Sequence, residues 1–313
     1  MRLTSSTIRL LIPALSLTVL LAAVFYMQPR AMSYIGLNLL FNLAIPITLA
    51  TMAQMIVIAV NDLDLSIGTF VSFVACVAAT WLKTDPIIGV AILLAAIGVY
   101  ALVGLIIYIR DLPSIVVTLG MSFVWAGLAV LILPSPGGSA PDWVRWLMTS
   151  KPPLVPLAIV ANIIIAIVAH LIVTRSAFGV LMRGLGGNVR SVVRAGWSAI
   201  AIRAATFALA GVFATLSGIA LVGLTTSADA NIALRYTLIS IASVILGGGE
   251  FTGGRVSPVG AVLGALTLTL AGSFLSFLRV SPDWQIGAQG AILIIVLTLR
   301  LILNRIEKRE KAK

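Results

Sequence analysis

The chain has 313 residues, 60% hydrophobic and 10% charged, with a formal net charge of +11 and a mean hydropathy of +1.14. So little polar surface cannot coat a water-soluble globule, and the basic balance does not indicate nucleic acid, because membrane proteins gather Lys and Arg in their cytoplasmic loops. With one cysteine, Cys76, and one histidine, His170, an internal disulfide is excluded and no Cys- or His-based metal site or cofactor is expected.

Apolar runs of about 20 residues, each long enough to cross roughly 30 Å of hydrocarbon as a helix, recur along the chain. A single all-α, polytopic domain over 1–313 is therefore expected, with about ten transmembrane helices, some of them broken. The first run, 9–27, follows Arg2 and Arg9 like a secretory signal, but nine further spans favour an uncleaved helix. The second, 33–60, carries Asn38, Asn42, Pro46 and Gln54, with Met52 and Met55 as core filler. It ends in "AVNDLDLSIGTF", where Asn61, Asp62, Asp64 and Ser66 stand among apolar neighbours. A carboxylate inside a membrane protein is costly unless paired or hydrated, so it marks a cavity or a short loop. Asp64 and Ser66 could equally cap the helix that starts near Ile67, and the sequence leaves both roles open.

Spans three to six follow at 66–82, 87–109, 114–134 and 156–173; the fifth holds Thr118, Ser122 and Trp125. Trp143 and Trp146 in "APDWVRWLM" suit an interfacial helix on the outer face. The longest internal loop, 174–203, contains Arg175, Arg183, Arg190, Arg194 and Arg203 and no acid. Ala177, Leu181, Leu185 and Val189 recur there every four residues. That spacing predicts a short helix that either lies on anionic lipid or docks a soluble partner.

Spans seven and eight, 204–224 and 236–247, lead into "VILGGGEFTGGRVSP". No Gly-Lys-Ser/Thr ending exists anywhere in the chain, so these glycines do not form a nucleotide loop. Gly247, Gly248 and Gly249 read as a helix end, and Gly253 and Gly254 as positive-φ turn positions. Glu250 and Arg255 are placed to pair, and Pro258 suits the first turn of the next helix. Small residues in the ninth span, 258–278, including Gly260 and Gly264, invite close helix approach. The tenth span, 285–303, precedes a charged tail. With both termini cytoplasmic, 15 of the 21 Lys and Arg fall inside, as positive charge resists translocation. No arrangement of catalytic side chains is present, so an enzyme is not expected.

Four stretches together resemble the permease subunits of bacterial ATP-binding-cassette importers of the ribose, xylose and galactose type, the branched-chain amino acid and sugar permease family. They are Asp64-Leu65-Ser66-Ile67-Gly68, the element from Pro113 to Thr118-Leu119-Gly120, Gly179 with Gly186-Gly187-Asn188, and Leu246-Gly247-Gly248 with Gly253-Gly254. The similarity covers nearly the whole chain. It departs at Asn61 and Asp62, where the family is mostly neutral and glycine-rich, at Val180 in place of a common basic residue, and at Val256 in place of a common glycine.

The resemblance implies a multi-pass protein of the bacterial inner membrane that forms the path for a neutral sugar (pentose, hexose or polyol). Its expected partners are a second, identical or sister permease, cytoplasmic ATPase subunits, and a periplasmic or lipid-anchored binding protein. Asn38, Asn42, Gln54, Asn61, Asp62, Asp64, Ser66, Thr118, Ser122 and Trp125 are the candidates for the path. Arg175, Gly179, Arg183, Gly186, Gly187, Asn188 and Arg190 are those for coupling to the ATPase. Gly247, Gly248, Gly249, Glu250, Gly253, Gly254 and Arg255 form the helix break. The rival readings are a nucleoside or branched-chain amino acid permease of the same architecture, and a proton-coupled transporter in which Asp62 and Asp64 titrate.

Overall fold

The computed structural model describes residues 5–281, without the side chains of 5–10, and single helical positions at 284, 287, 290, 291, 294 and 298. The tenth predicted span and the charged tail lie outside the continuously described residues. The chain begins with α1 (Ser5–Met27) and a short 3-10 turn, then α2 (Tyr34–Asn42) and α3 (Ala44–Ile58). The predicted second span is thus interrupted at Leu43. Pro46 has no N–H to donate to the carbonyl of residue 42, and its ring crowds that carbonyl.

Next come α4 (Ile67–Ala79) and the one-turn α5 (Trp81–Thr84), so the predicted third span is also broken. Thr80, at φ −114° and ψ −88°, takes the chain out of helical geometry. α6 (Pro86–Ile109) opens on a proline in its first turn and an Asp85 cap. α7 (Ser114–Ile132), α8 (Asp142–Thr149) and α9 (Leu157–His170) follow, the last continuing as a π turn over Leu171–Arg175. α10 (Ala177–Gly187) and α11 (Val189–Arg194) fill most of the basic loop, before α12 (Ala199–Thr225), α13 (Tyr236–Leu246) and α14 (Pro258–Phe277).

Among the described residues, 7 helical stretches are long and apolar enough to cross a membrane, accompanied by α1, apolar over its described side chains from Leu11 to Met27, and by the shorter α13. α13 matches the expected eighth span, 236–247, to within one residue. Its 11 residues rise only about 16 Å, half a hydrocarbon core. α12 is longer than predicted, at 27 residues, and takes in Arg203, which the sequence reading placed in the loop.

α3 and α4 are buried along their whole length, and α12 packs against both of them and α6. The connections sort to two sides. On one side, the 135–141 segment pairs with the turn after α12: Gly137 and Ala228 form a reciprocal backbone bridge, Ala140 N–H donates to the Thr226 carbonyl, and Ser139 N–H to that of Ala79. Lys83 meets Asp142 at 2.7 Å there. On the other side, the α3–α4 loop, α10 and the α13–α14 turn touch one another.

Candidate functional site

Residues 61–66 join two fully buried helices, so their backbone groups must find partners within the protein. Asp62 N–H donates to the Val57 carbonyl at 3.3 Å, Leu63 N–H to Ser114 Oγ at 3.1 Å and Leu65 N–H to Thr118 Oγ1 at 3.1 Å. The Gln54 amide, oriented by its surroundings, donates to the Asp64 carbonyl at 2.9 Å and accepts from Asp64 N–H at 3.3 Å. The Asp64 carboxylate is fully buried. It accepts from Ser66 N–H and Ser66 Oγ, both at 2.7 Å, and from Tyr100 Oη at 2.8 Å. Side chains from α3, α6 and α7 therefore clasp one short loop.

The helix that follows is not capped as the sequence suggests. Ser66 makes no side-chain cap, because its hydroxyl is turned toward Asp64. Gly68 N–H donates instead to Thr237 Oγ1, at 2.9 Å, from α13. A remote helix takes over the work of a local cap.

At the loop's start, Asn61 adopts φ 62°, a left-handed conformation that asparagine tolerates better than most residues. Its side-chain amide donates to the Gly186 carbonyl on α10 at 2.5 Å. Asp62 receives Arg203 from α12 in a two-pronged contact, Nε to Oδ2 and Nη2 to Oδ1, each at 2.6 Å. The Arg203 guanidinium also lies 5.7 Å from the centre of the Tyr108 ring. Asp62, a carboxylate where the resembled family is neutral, is therefore an ion-paired residue.

The glycine-rich turn meets α10 from the other direction. α13 ends at Gly247, Gly248 has φ 96°, and Gly253 and Gly254 have φ 81° and 64°. Glu250 N–H donates to the Arg255 carbonyl at 2.9 Å and the two side chains pair at 3.5 Å. Pro258 opens α14, with Ser257 Oγ accepting from Gly260 N–H. A Cβ on Gly254 would collide with the Arg183 carbonyl, and one on Gly186 with the Ala59 carbonyl. α10 is thus wedged between the two helix breaks with no room for a side chain at either contact.

A family profile described as "Branched-chain amino acid transport system / permease component" matches residues 36–297. The chain belongs to this permease family. Similar relatives include the ribose import permease protein of Escherichia coli (strain K12), 28% identical over 294 residues, covering 90% of each chain. The galactose/methyl galactoside import permease protein of the same strain is 29% identical over 307 residues, 90% of this chain and 91% of the relative. The autoinducer 2 import system permease protein of Escherichia coli (strain K12 / DH10B) is 27% identical over 315 residues, 94% of this chain and 90% of the relative. No solved structure matches the chain.

In this permease, five of the ten path candidates, Gln54, Asp62, Asp64, Ser66 and Thr118, are engaged in the clasp, and Asn61 ties it to α10. Asn42 is remote from them, donating to the Met148 carbonyl at 2.8 Å, and Asn38 is buried on α2. Ser122 lies one turn beyond Thr118 and donates to the Leu119 carbonyl at 2.6 Å. Trp125 is buried in an aromatic group with Phe70, Phe73 and Tyr100, and its Nε1 has no partner among the described protein atoms.

Arg175 closes the π turn before α10, and the other coupling candidates lie on α10 and the start of α11, where Asn188 Oδ1 caps α11 through Ser191 N–H at 3.2 Å. The short helix expected in this loop is present as α10, and the face it turns to the protein differs from the period-four stripe. Gly179, Met182, Leu185 and Gly186 are buried, whereas Ala177 and Val189 are exposed. Glycine's lack of a side chain lets Gly179 and Gly186 fit against the Val173 and Ala59 carbonyls, with Met182 and Leu185 buried beside them. The sequence reading did not single out Arg203, Tyr100, Tyr108 or Thr237 for the site. The one available signal was the unbalanced carboxylate at Asp62, which called for a cation.

Proposed function

We propose that this chain is the transmembrane permease subunit of an ATP-binding-cassette importer for a neutral sugar, a pentose, hexose or polyol, in a bacterial cytoplasmic membrane. Two such subunits, identical or paired with a sister chain, form the path. Separate ATPase subunits drive it from the cytoplasm, and a periplasmic or lipid-anchored binding protein feeds it from the opposite side. Ten spans with both termini cytoplasmic complete this reading. The observation that carries it is the seating of α10 against both polar or glycine-rich breaks: the segment assigned to the ATPase touches the α3–α4 loop and the α13–α14 turn. Arg175, Arg190 and Arg194 remain exposed beside it, a basic surface suited to an ATPase groove. Family membership and the printed names of the ribose and galactose relatives support the substrate class. The clasped loop braces the path, and the partly exposed Ser122 face of α7 contributes to its wall.

Asp62 is already ion-paired and Asp64 already accepts three hydrogen bonds, which favours ATP-driven transport over proton coupling through these carboxylates. Purification in mild detergent, identification of co-purifying chains, and uptake in vesicles test the proposal. ATPase subunits should co-purify, and the chain alone should concentrate no solute. Uptake that persists without ATPase subunits and collapses with the proton gradient would overturn it.

A further inference from the structure

We propose that the Asp62–Arg203 ion pair is the positioning joint that makes α12 move with α10 during the transport cycle. This rests on the reading of α10 as the segment that receives the ATPase. Three observations meet here. Asn61, one residue before Asp62, holds the carbonyl of Gly186 at the end of α10. Asp62 then grips Arg203, in the first turns of α12, through two 2.6 Å contacts. α12 in turn packs along α3, α4 and α6, the centre of the membrane domain. A displacement of α10 by a docked motor therefore reaches the helix core through two consecutive residues of the loop.

The geometry suits transmission of movement. A two-pronged guanidinium–carboxylate contact fixes distance and plane together, so it resists both sliding and rotation. The Asp62 side chain is 5% exposed and that of Arg203 18%, which limits the competition from water that loosens surface pairs. The Tyr108 ring backs the guanidinium on one side. The Glu250–Arg255 pair in the neighbouring turn differs on each count: it is longer, at 3.5 Å, and the Arg255 side chain is 63% exposed. A desolvated ion pair adds little net stability over an apolar pair of the same shape. Its distinctive contribution is directional rigidity between two segments 141 positions apart in sequence.

The test uses the permease co-purified with its ATPase subunits, with Cys76→Ala as background and spin labels at Val180→Cys on α10 and Leu216→Cys on α12. Both labelled positions are exposed. The distance between labels is measured before and after trapping with ATP and vanadate. In the protein with the intact pair, α10 and α12 move together and the distance stays unchanged. In the double variant Asp62→Asn with Arg203→Gln, which leaves no uncompensated charge and so folds where a single variant fails, α10 moves alone. The distance then shifts by about 2 Å, the scale of helix displacements in switching proteins. An unchanged distance in the trapped double variant overturns the proposal, as does an equal shift with the pair intact. A purely structural pair would lower thermal stability without altering the trapped distance. Absence of any co-purifying ATPase would instead refute the functional reading on which the proposal stands.

Discussion

The two helix breaks that flank α10 solve one problem by opposite means. The α3–α4 loop keeps its backbone satisfied by recruiting polar side chains: Gln54, Ser114, Thr118 and Thr237 come to it from three other helices, and Asp64 folds back on it. The α13–α14 turn relies on missing side chains, with positive-φ glycines and backbone-to-backbone contact between Gly247 and Gly260. The first break is held by directional bonds that are individually modest, the second by volume that nothing can occupy. They should therefore fail differently under substitution.

The largest effect is expected from Gly260→Val, whose side chain must enter the Gly247 carbonyl. A loss of about 3 kcal/mol is expected from overpacking, read as loss of the monodisperse peak in detergent chromatography. Asp64→Ala should follow, at about 2 kcal/mol, because it strands buried donors on Ser66 and Tyr100. Thr237→Val removes the acceptor of Gly68 N–H and the long 3.5 Å donation to the Leu65 carbonyl, and is expected to cost about 1 kcal/mol in an SDS-unfolding titration. If Asp64→Ala were harmless while Thr237→Val was severe, the clasp would have been assigned to the wrong residue.

Smaller effects sharpen the contrast. Arg255→Gln should change stability by less than about 1 kcal/mol, since its pair with Glu250 is largely solvated. On the opposite side of the domain, the Lys83 ammonium beside Asp142 holds that carboxyl below the usual carboxylate range. A depressed carboxyl pKa stabilises the fold above the unfolded-state value and loses that contribution as pH falls through the folded-state value. Thermal unfolding should therefore show a small acid-side decline that Asp142→Asn removes. Neither change should disturb the two breaks.

The glycine turn was legible in the sequence almost residue by residue. Helix termination at Gly247, positive φ at Gly253 and Gly254, the Glu250–Arg255 contact and Pro258 at the helix start all follow from local chemistry. The clasp was legible only as an anomaly. Asn61, Asp62 and Asp64 stood out as polar residues in apolar company, but their partners lie far along the chain: Arg203 is 141 positions from Asp62, and Tyr100 is 36 from Asp64. Spacing carries no information about such pairs, which arise from helix packing. The face by which α10 meets the rest of the protein was not legible for a related reason. A hydrophobic period of four picked out Ala177, Leu181, Leu185 and Val189, of which only Leu185 is buried, whereas close backbone approach selected Gly179 and Gly186. The break at Thr80 was hidden because hydropathy runs on across a change in backbone geometry.

The shortness of α13 bears on biosynthesis. Eleven residues fall well below the roughly 17–25 that let an apolar segment partition from the translocon into lipid by its own hydrophobicity. Its helix also buries Ser240 and Ser243, which lowers that tendency further. Residues 236–246 must therefore enter the bilayer as passengers, drawn in with the emerging α14 and received by helices already resident there, so the nascent chain cannot settle this region until its later segments have left the ribosome.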